Sequence, residues 1–399
     1  MTLLIDPPNA SGHGRLWSHL ASDASYDELH RFAQMLGIPS RGFDRDHYDI
    51  PADRYDAVVA AGAEPVSSRE LIDRLKASGL RRRKAETLAP KKPGRSLIRA
   101  ERLQQGHRVA VVAASGPVTP EWLDSGIAVL ASWGLDVLEM EHVRGTHERL
   151  PYLAADDAAR ADDLMRAWCD PDVQAVFCAR GGYGVQRMVD LLDWESLAAA
   201  GPKVLVGFSD VTALHQAFAS RLGLSSIHGP MVTMLGVGDE ESRTHLRTML
   251  FEPAAGTSLT PEPATTLVPG RAEGVLVGGN VALLAAEVGT RHSVGAAESI
   301  AVLEEIGEEV FRLDRLLTHL LRSGWFDRVR GIVLGDFTDF GSPESVQALL
   351  VDRLAPLGVP LLWGAPIGHE HRNLAFPLGV PAVLDADAGT LVLRESALL

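Results

Sequence analysis

Ser209 and Asp210 stand where a short apolar run ends and a helical pattern begins. Val204, Leu205 and Val206 read as a buried strand, Gly207 breaks it, and Val211, Leu214, Phe218 and Leu222 recur at helical spacing. A serine at a strand-to-helix corner can present its hydroxyl as a nucleophile, and the amides that open the helix face the place where an oxyanion would form. This corner carries Val211 where a nucleophile elbow usually has a small residue. Ser and Asp are also preferred helix caps, and on this stretch alone capping is the commoner role.

Other residues suited to chemistry lie far away in sequence. The glycines of Arg180-Gly181-Gly182-Tyr183-Gly184 follow a strand expected over 173–179 and let backbone amides approach a ligand closely. Neither G-x-G-x-x-G nor the lysine-bearing phosphate loop is present, so this loop suits an amide donor to an oxyanion better than a phosphate cradle, or else is a tight turn. Glu304 and Glu305 end a strand expected at Ser299–Leu303, where either acid can orient a base or cap the next helix. His369 and His371 lie in the irregular stretch Pro366–Asn373 and are either base candidates or loop residues. A last group, His13, His19, Asp23, His30, Asp44, Asp46, His47 and Asp49, could hold a divalent metal or do acid–base work. Its spacing matches no metal motif, and capping, turns and solvation account for most such residues, so no metal is assigned.

The elements that would position these residues divide the chain. Residues 1–80 read as a small α/β module, with a strand at Leu3–Asp6 and helices over Asp27–Leu36 and Ser67–Ser78, the second opened by the capping pair Ser67 and Glu70. Residues 81–106, with Arg81-Arg82-Arg83-Lys84 and Pro90-Lys91-Lys92-Pro93, have the composition of a basic, solvated linker. From His107, apolar runs alternate with helical patterns, as in a parallel sheet with crossover helices, whose functional groups gather at the carboxyl ends of strands. The expected nucleophile domain spans 107–250 and is Rossmann-like. Low regularity from Gly236 to Pro269 marks the crossing to a second α/β domain over 270–399, which carries the glutamates and histidines.

Composition narrows the function class. The 399-residue chain is 46% hydrophobic and 23% charged, as in ordinary globular proteins. A net charge of −14 argues against nucleic acid or an anionic membrane as partner. Cys169 and Cys178 are the only cysteines and match no zinc or redox spacing, which suits a reducing compartment. The first residues do not resemble a secretion signal and no apolar run is long enough to span a bilayer, so a cytoplasmic location is expected.

From about His107 onward, the chain resembles the LD-carboxypeptidase family of serine peptidases. The resemblance is carried in order by Arg-Gly-Gly-Tyr-Gly at 180–184, Gly-Phe-Ser-Asp at 207–210, His-Gly-Pro at 228–230, Gly-Gly-Asn at 278–280, Leu-Glu-Glu at 303–305 and Gly-His at 368–369. It implies a triad of Ser209, Glu304 and His369, oxyanion-binding amides from Gly182 and Asp210, no cofactor, and commonly a homodimer. The implied substrate is a small peptide, a murein tetrapeptide that loses its terminal D-alanine in cell-wall recycling. Spacing alone leaves Glu305 and His371 open as alternative partners. The first 80 residues resemble a small bacterial domain of unknown function, through the stretches 13–20 and 46–49.

Two other functions compete. One is that of the microcin-immunity peptidases, which cleave aminoacyl-nucleotide conjugates and would need an aromatic platform; between Gly236 and Pro269 the sequence offers Phe251 but no Trp or Tyr. The other is a non-catalytic binding or scaffold protein, which need not retain serine, acid and histidine together.

Overall fold

Period-two patterning in the first unit produces a mixed sheet with both faces in use. The computed structural model describes residues 3–12, 15–39, 43–44, 46–78, 94, 96–260, 262 and 264–399, and divides into the units Met1–Ala89 and Pro90–Leu399. In the first unit, β1 (Leu3–Ile5), β2 (Ala10–Gly12), β3 (Arg15–Ser22), β4 (Phe43–Asp44), β5 (His47–Pro51) and β6 (Glu64–Pro65) join in the order β4-β5-β3-β1-β6, with β2 on β3. Leu20, Tyr48 and Ile50 pack in one cluster with Leu29 and Phe32 of the helix Tyr26–Met35. Leu4 and Ala21 turn the other way, onto Leu71 and Leu75 of the helix Ser68–Ala77. Ser25 and Ser67 cap the two helices by accepting from the amides of Glu28 and Glu70. His13, Gly14, residues 81–93 and Arg95 lie outside the described residues, and with them most of the linker reading.

The second unit contains the strands β7 (Arg108–Val112), β8 (Asp136–Glu139), β9 (Val173–Cys178), β10 (Val204–Gly207), β11 (Ser226–His228), β12 (Thr265–Val268), β13 (Arg271–Asn280), β14 (Ser299–Ile306), β15 (Gly331–Thr338), β16 (Leu361–Trp363), β17 (Phe376–Leu378), β18 (Pro381–Asp385) and β19 (Thr390–Leu393). One sheet runs β17-β11-β10-β9-β7-β8 and the other β12-β16-β15-β14-β13-β18-β19. From β11 to β8 every pairing is parallel, and Val204–Gly207 is buried along its whole length. Such continuous burial follows from helices packing on both faces of a parallel sheet. The second sheet has a parallel centre, β13-β14-β15-β16, and antiparallel edges.

Three boundaries differ from the sequence reading. Residues 97–103, read as linker, are laid onto the second unit: Leu97 donates to the Gly379 carbonyl, Ile98 to Gly223 and Leu103 to Leu250, while Ala100 and Leu103 are buried. Their apolar side chains outweigh the charged residues between them. Part of the stretch read as irregular is the helix Glu240–Phe251, capped by Asp239 and buried through Leu246, Met249 and Leu250. Finally, β17 comes from the expected second domain but completes the first sheet, pairing antiparallel with β11. Among the described residues, no helix is long and apolar enough to cross a membrane.

Candidate active site

The corner after β10 is strained where chemistry would need it. Ser209 has φ 61°, in the left-handed region that non-glycine residues seldom occupy, and opens a single turn, Ser209–Val211, that runs into the helix Thr212–Arg221. No side chain caps either helical segment, so neither Ser209 nor Asp210 is there as a cap. Val211 is tolerated because its neighbour is glycine: a Cβ at Gly207 would stand 2.8 Å from a Val211 methyl carbon. The buried His215 fixes the preceding strand end, its Nε2 donating to the Gly207 carbonyl over 2.8 Å. Burial drives the pKa of His215 down to about 3, so this ring stays neutral.

The glycine loop lies directly against the serine. A Cβ at Gly181 would be 3.0 Å from Ser209 Cβ and 3.1 Å from its Oγ, and Gly182 follows with φ 114°. The loop is tied to the turn after β7 by the Gly116 amide, which donates to the Gly181 carbonyl. The Asp210 side chain points away into the core, where it accepts from Ser115 Oγ at 2.7 Å and the Val185 amide at 2.9 Å. Burial raises its pKa, against those two bonds and the nearby Arg160. Its backbone amide belongs to the first turn of a helix, where amides have no intrahelical acceptor.

Glu304 and Glu305 separate because successive strand residues face opposite ways. Glu304 is fully buried, and its Oε2 lies 2.7 Å from His369 Nδ1. Burial works to raise its pKa, but the imidazoles of His228 and His369 outweigh that and hold it at about 2. Burial alone would lower the pKa of His369; the bond to Glu304 and the charges of Glu304, Glu305 and Asp336 raise it above the ordinary histidine value. Glu305 instead accepts from Asn280 Nδ2 at 2.8 Å and from the Ala282 amide at 2.6 Å, at the start of the helix Val281–Glu287. Burial pushes its pKa up to about 7. His371 is exposed. Gly368, at φ 137°, lets the histidine loop close onto the acid, since a Cβ there would lie 2.9 Å from Asp336 Cβ and 3.2 Å from Glu304 Cβ.

Ser209 Oγ has no hydrogen-bond partner among the described residues. The two halves of the site nevertheless meet: the ring of Phe208, next to the serine, lies 4.8 Å from that of His369. Sequence reasoning gave no role to His228, which is buried 4.6 Å from the Phe376 ring, with Nε2 3.9 Å from Glu304 Oε1. Local patterning gives no signal for Asp336 either, whose pKa burial pushes up to about 7. Phe251, between Gly236 and Pro269, is no platform, because it is buried against Trp133.

Most of the chain matches known protein families. Residues 109–229 match the LD-carboxypeptidase N-terminal domain, 273–384 the LD-carboxypeptidase C-terminal domain, and 3–78 a domain of unknown function, DUF4031. A putative carboxypeptidase of Streptomyces coelicolor is 54% identical over 306 residues, covering 76% of this chain and 98% of the relative. The murein tetrapeptide carboxypeptidase of Pseudomonas aeruginosa is 36% identical, over 70% of this chain and 94% of the relative. Among solved structures, the muramoyltetrapeptide carboxypeptidase of Oxalobacter formigenes superposes with TM-score 0.62 at 30% identity, over 71% of this chain and 97% of that one. An MccF-like protein from Bacillus anthracis shares the fold, with TM-score 0.69 at 22% identity, over 74% of this chain and 99% of that one. With both domains of the family matched and relatives similar along nearly their whole length, the chain belongs to the LD-carboxypeptidase family of serine-type carboxypeptidases.

Proposed function

We propose that this carboxypeptidase releases the terminal D-alanine of murein tetrapeptides, using Ser209 as nucleophile, His369 as general base and Glu304 as its orienting acid. The observation that carries this reading is a strained serine facing a glycine loop, with a buried carboxylate 2.7 Å from a nearby imidazole. Ser209 Oγ attacks the carbonyl carbon on the L-centre while His369 Nε2 takes its proton; Glu304 accepts from Nδ1 and stabilises the imidazolium. The amides of Gly182 and Asp210 receive the oxyanion. Collapse of the tetrahedral intermediate breaks the C–N bond, and His369 returns the proton to the departing D-alanine amine. Water, deprotonated by His369, then hydrolyses the acyl-enzyme and regenerates Ser209. The Ser209–His369 hydrogen bond forms with substrate in place, as catalytic bonds in ligand-free sites commonly do.

The competing substrate is an aminoacyl-nucleotide, in line with the MccF-like fold. Its observation is the exposed pair Tyr152 and Tyr183, 6.1 Å apart, the latter inside the glycine loop and able to stack on a base. Parallel assays decide: D-alanine release from the tetrapeptide against hydrolysis of an aminoacyl sulfamoyl adenosine. Faster turnover of the nucleotide conjugate would overturn the murein reading, and turnover of neither would return the scaffold alternative.

A further inference from the structure

The eight His and Asp residues of the first unit singled out above are sorted sharply by the fold. Asp23 binds Arg74, and His30 Nδ1 meets the Tyr48 hydroxyl at 2.9 Å. His13 and the side chain of Asp44 lie outside the described residues. Three others converge. His19 on β3 is directly opposite Asp49 on β5 in the antiparallel register, and His47 is two residues before Asp49, so all three share one face. Ring or carboxylate atoms of the three lie within 4.8 Å of one another, and the two imidazole centroids are 4.9 Å apart.

What surrounds the two histidines is as informative. His19 Nδ1 lies 3.0 Å from Asp6 Oδ2, and His47 Nδ1 lies 2.7 Å from Asp46 Oδ1. Both carboxylates are buried, with side chains 2% and 1% exposed. Asp6 is itself held, by Ser68 Oγ and the His19 amide, each at 2.6 Å. A carboxylate accepting from Nδ1–H fixes the tautomer with the lone pair on Nε2 and makes that nitrogen more basic. This is the support that metal-bound histidines almost always have.

We propose that His19, His47 and Asp49 bind a divalent transition-metal ion of the zinc class, with Asp6 and Asp46 as the outer carboxylates that orient the two imidazoles. Two imidazole nitrogens and one carboxylate oxygen form a donor set suited to zinc and its neighbours, not to magnesium or calcium. His47 Nε2 and Asp49 Oδ1 are already 3.4 Å apart, about the ligand spacing that bonds of ~2.0–2.1 Å to a tetrahedral ion require. The widest spacing, 4.8 Å at most, closes by side-chain rotation. Asp49 and His19 are 47% and 33% exposed, so the remaining coordination position faces solvent and takes water. This inference is independent of the peptidase reading, because every residue it uses lies in the first unit.

The full-length protein, stripped with chelator and exchanged into metal-free buffer, should bind zinc at one site by calorimetry at pH 7.5. Cobalt should bind competitively and give the visible absorption of a low-coordinate ion. Asp49→Asn, a change at a half-exposed side chain that leaves folding intact, and His47→Ala should each lose at least tenfold in zinc affinity. Asp46→Asn should weaken zinc by about 10–100-fold through the outer shell. His369→Ala, at a histidine–carboxylate pair of the second unit, should bind zinc as wild type does. Circular dichroism of each variant identifies any that misfolds, in which case Asp49→Asn decides. No saturable zinc or cobalt binding, affinity unchanged in folded Asp49→Asn, or loss confined to His369→Ala would overturn the proposal.

Discussion

His369 Nδ1 lies 2.7 Å from Glu304 Oε2, joining the loop after β16 to the end of β14 by a bond between a partly buried imidazole and a wholly buried carboxylate. It orients the imidazole and raises its pKa.

That shift has a direct kinetic sign. As the proposed general base, His369 has to act unprotonated, so activity should be present above its pKa and lost below it. Because the value is raised, the acidic limb of kcat/KM should fall at a pH above the ordinary histidine value of about 6.5. In Glu304→Gln the limb should move to lower pH as kcat drops. A limb below pH 6 in the wild type, or one unmoved by Glu304→Gln, would contradict the pairing.

Adjacent acids should behave differently. Glu304→Ala should lower kcat by on the order of a hundredfold or more, with stability less affected. Glu305→Ala strips acceptors from Asn280 and the Ala282 amide and should cost about 1–3 kcal/mol in stability. Denaturant unfolding and turnover measured on both variants separate the roles; an inactive but fully stable Glu305→Ala would reverse them.

The fit between Gly207 and Val211 predicts coupling. Gly207→Ala drives a methyl to 2.8 Å from the valine and should destabilise by about 1–3 kcal/mol while displacing Ser209. Adding Val211→Ala makes room, so the double variant should recover part of the loss in kcat. Additive losses would mean that the valine does not set the need for glycine.

Much of this site was legible because its residues end elements that short-range patterns reveal. The run Val204–Val206 before Gly207 placed Ser209 at a corner, and Leu303 placed the glutamates at a strand end. Spacing alone left Glu304 and Glu305 open, because a strand end conceals the direction of each side chain, and the resemblance favoured Glu304. His228 and β17 were hidden for a different reason. Their neighbours come from a pairing between residues 226–228 and 376–378, too distant in sequence for local patterning. The same holds for His19 and Asp49, brought together by the β3–β5 register. The helix Glu240–Phe251 was obscured by prolines and a polar stretch beyond its end.

The division at the basic stretch predicts where the chain can be cut. A protein beginning at Gly94 should retain D-alanine release, and chelator should leave that rate unchanged. One beginning at Gln104 loses the bonds of Leu97, Ile98 and Leu103 and the burial of Leu103, itself worth about 2 kcal/mol. It should unfold at distinctly lower temperature. Thermal melts with tetrapeptide assays test both; a folded but inactive protein beginning at Gly94 would give the first unit a part in hydrolysis.

Whether Ser209 is the nucleophile is decided by D-alanine release from murein tetrapeptide with purified wild type and Ser209→Ala. The substitution removes an oxygen that no described residue binds, so circular dichroism and melting should match the wild type. Turnover should fall by about a thousandfold or more, as it should for His369→Ala. A folded Ser209→Ala enzyme that releases D-alanine at the wild-type rate would exclude Ser209 as the nucleophile.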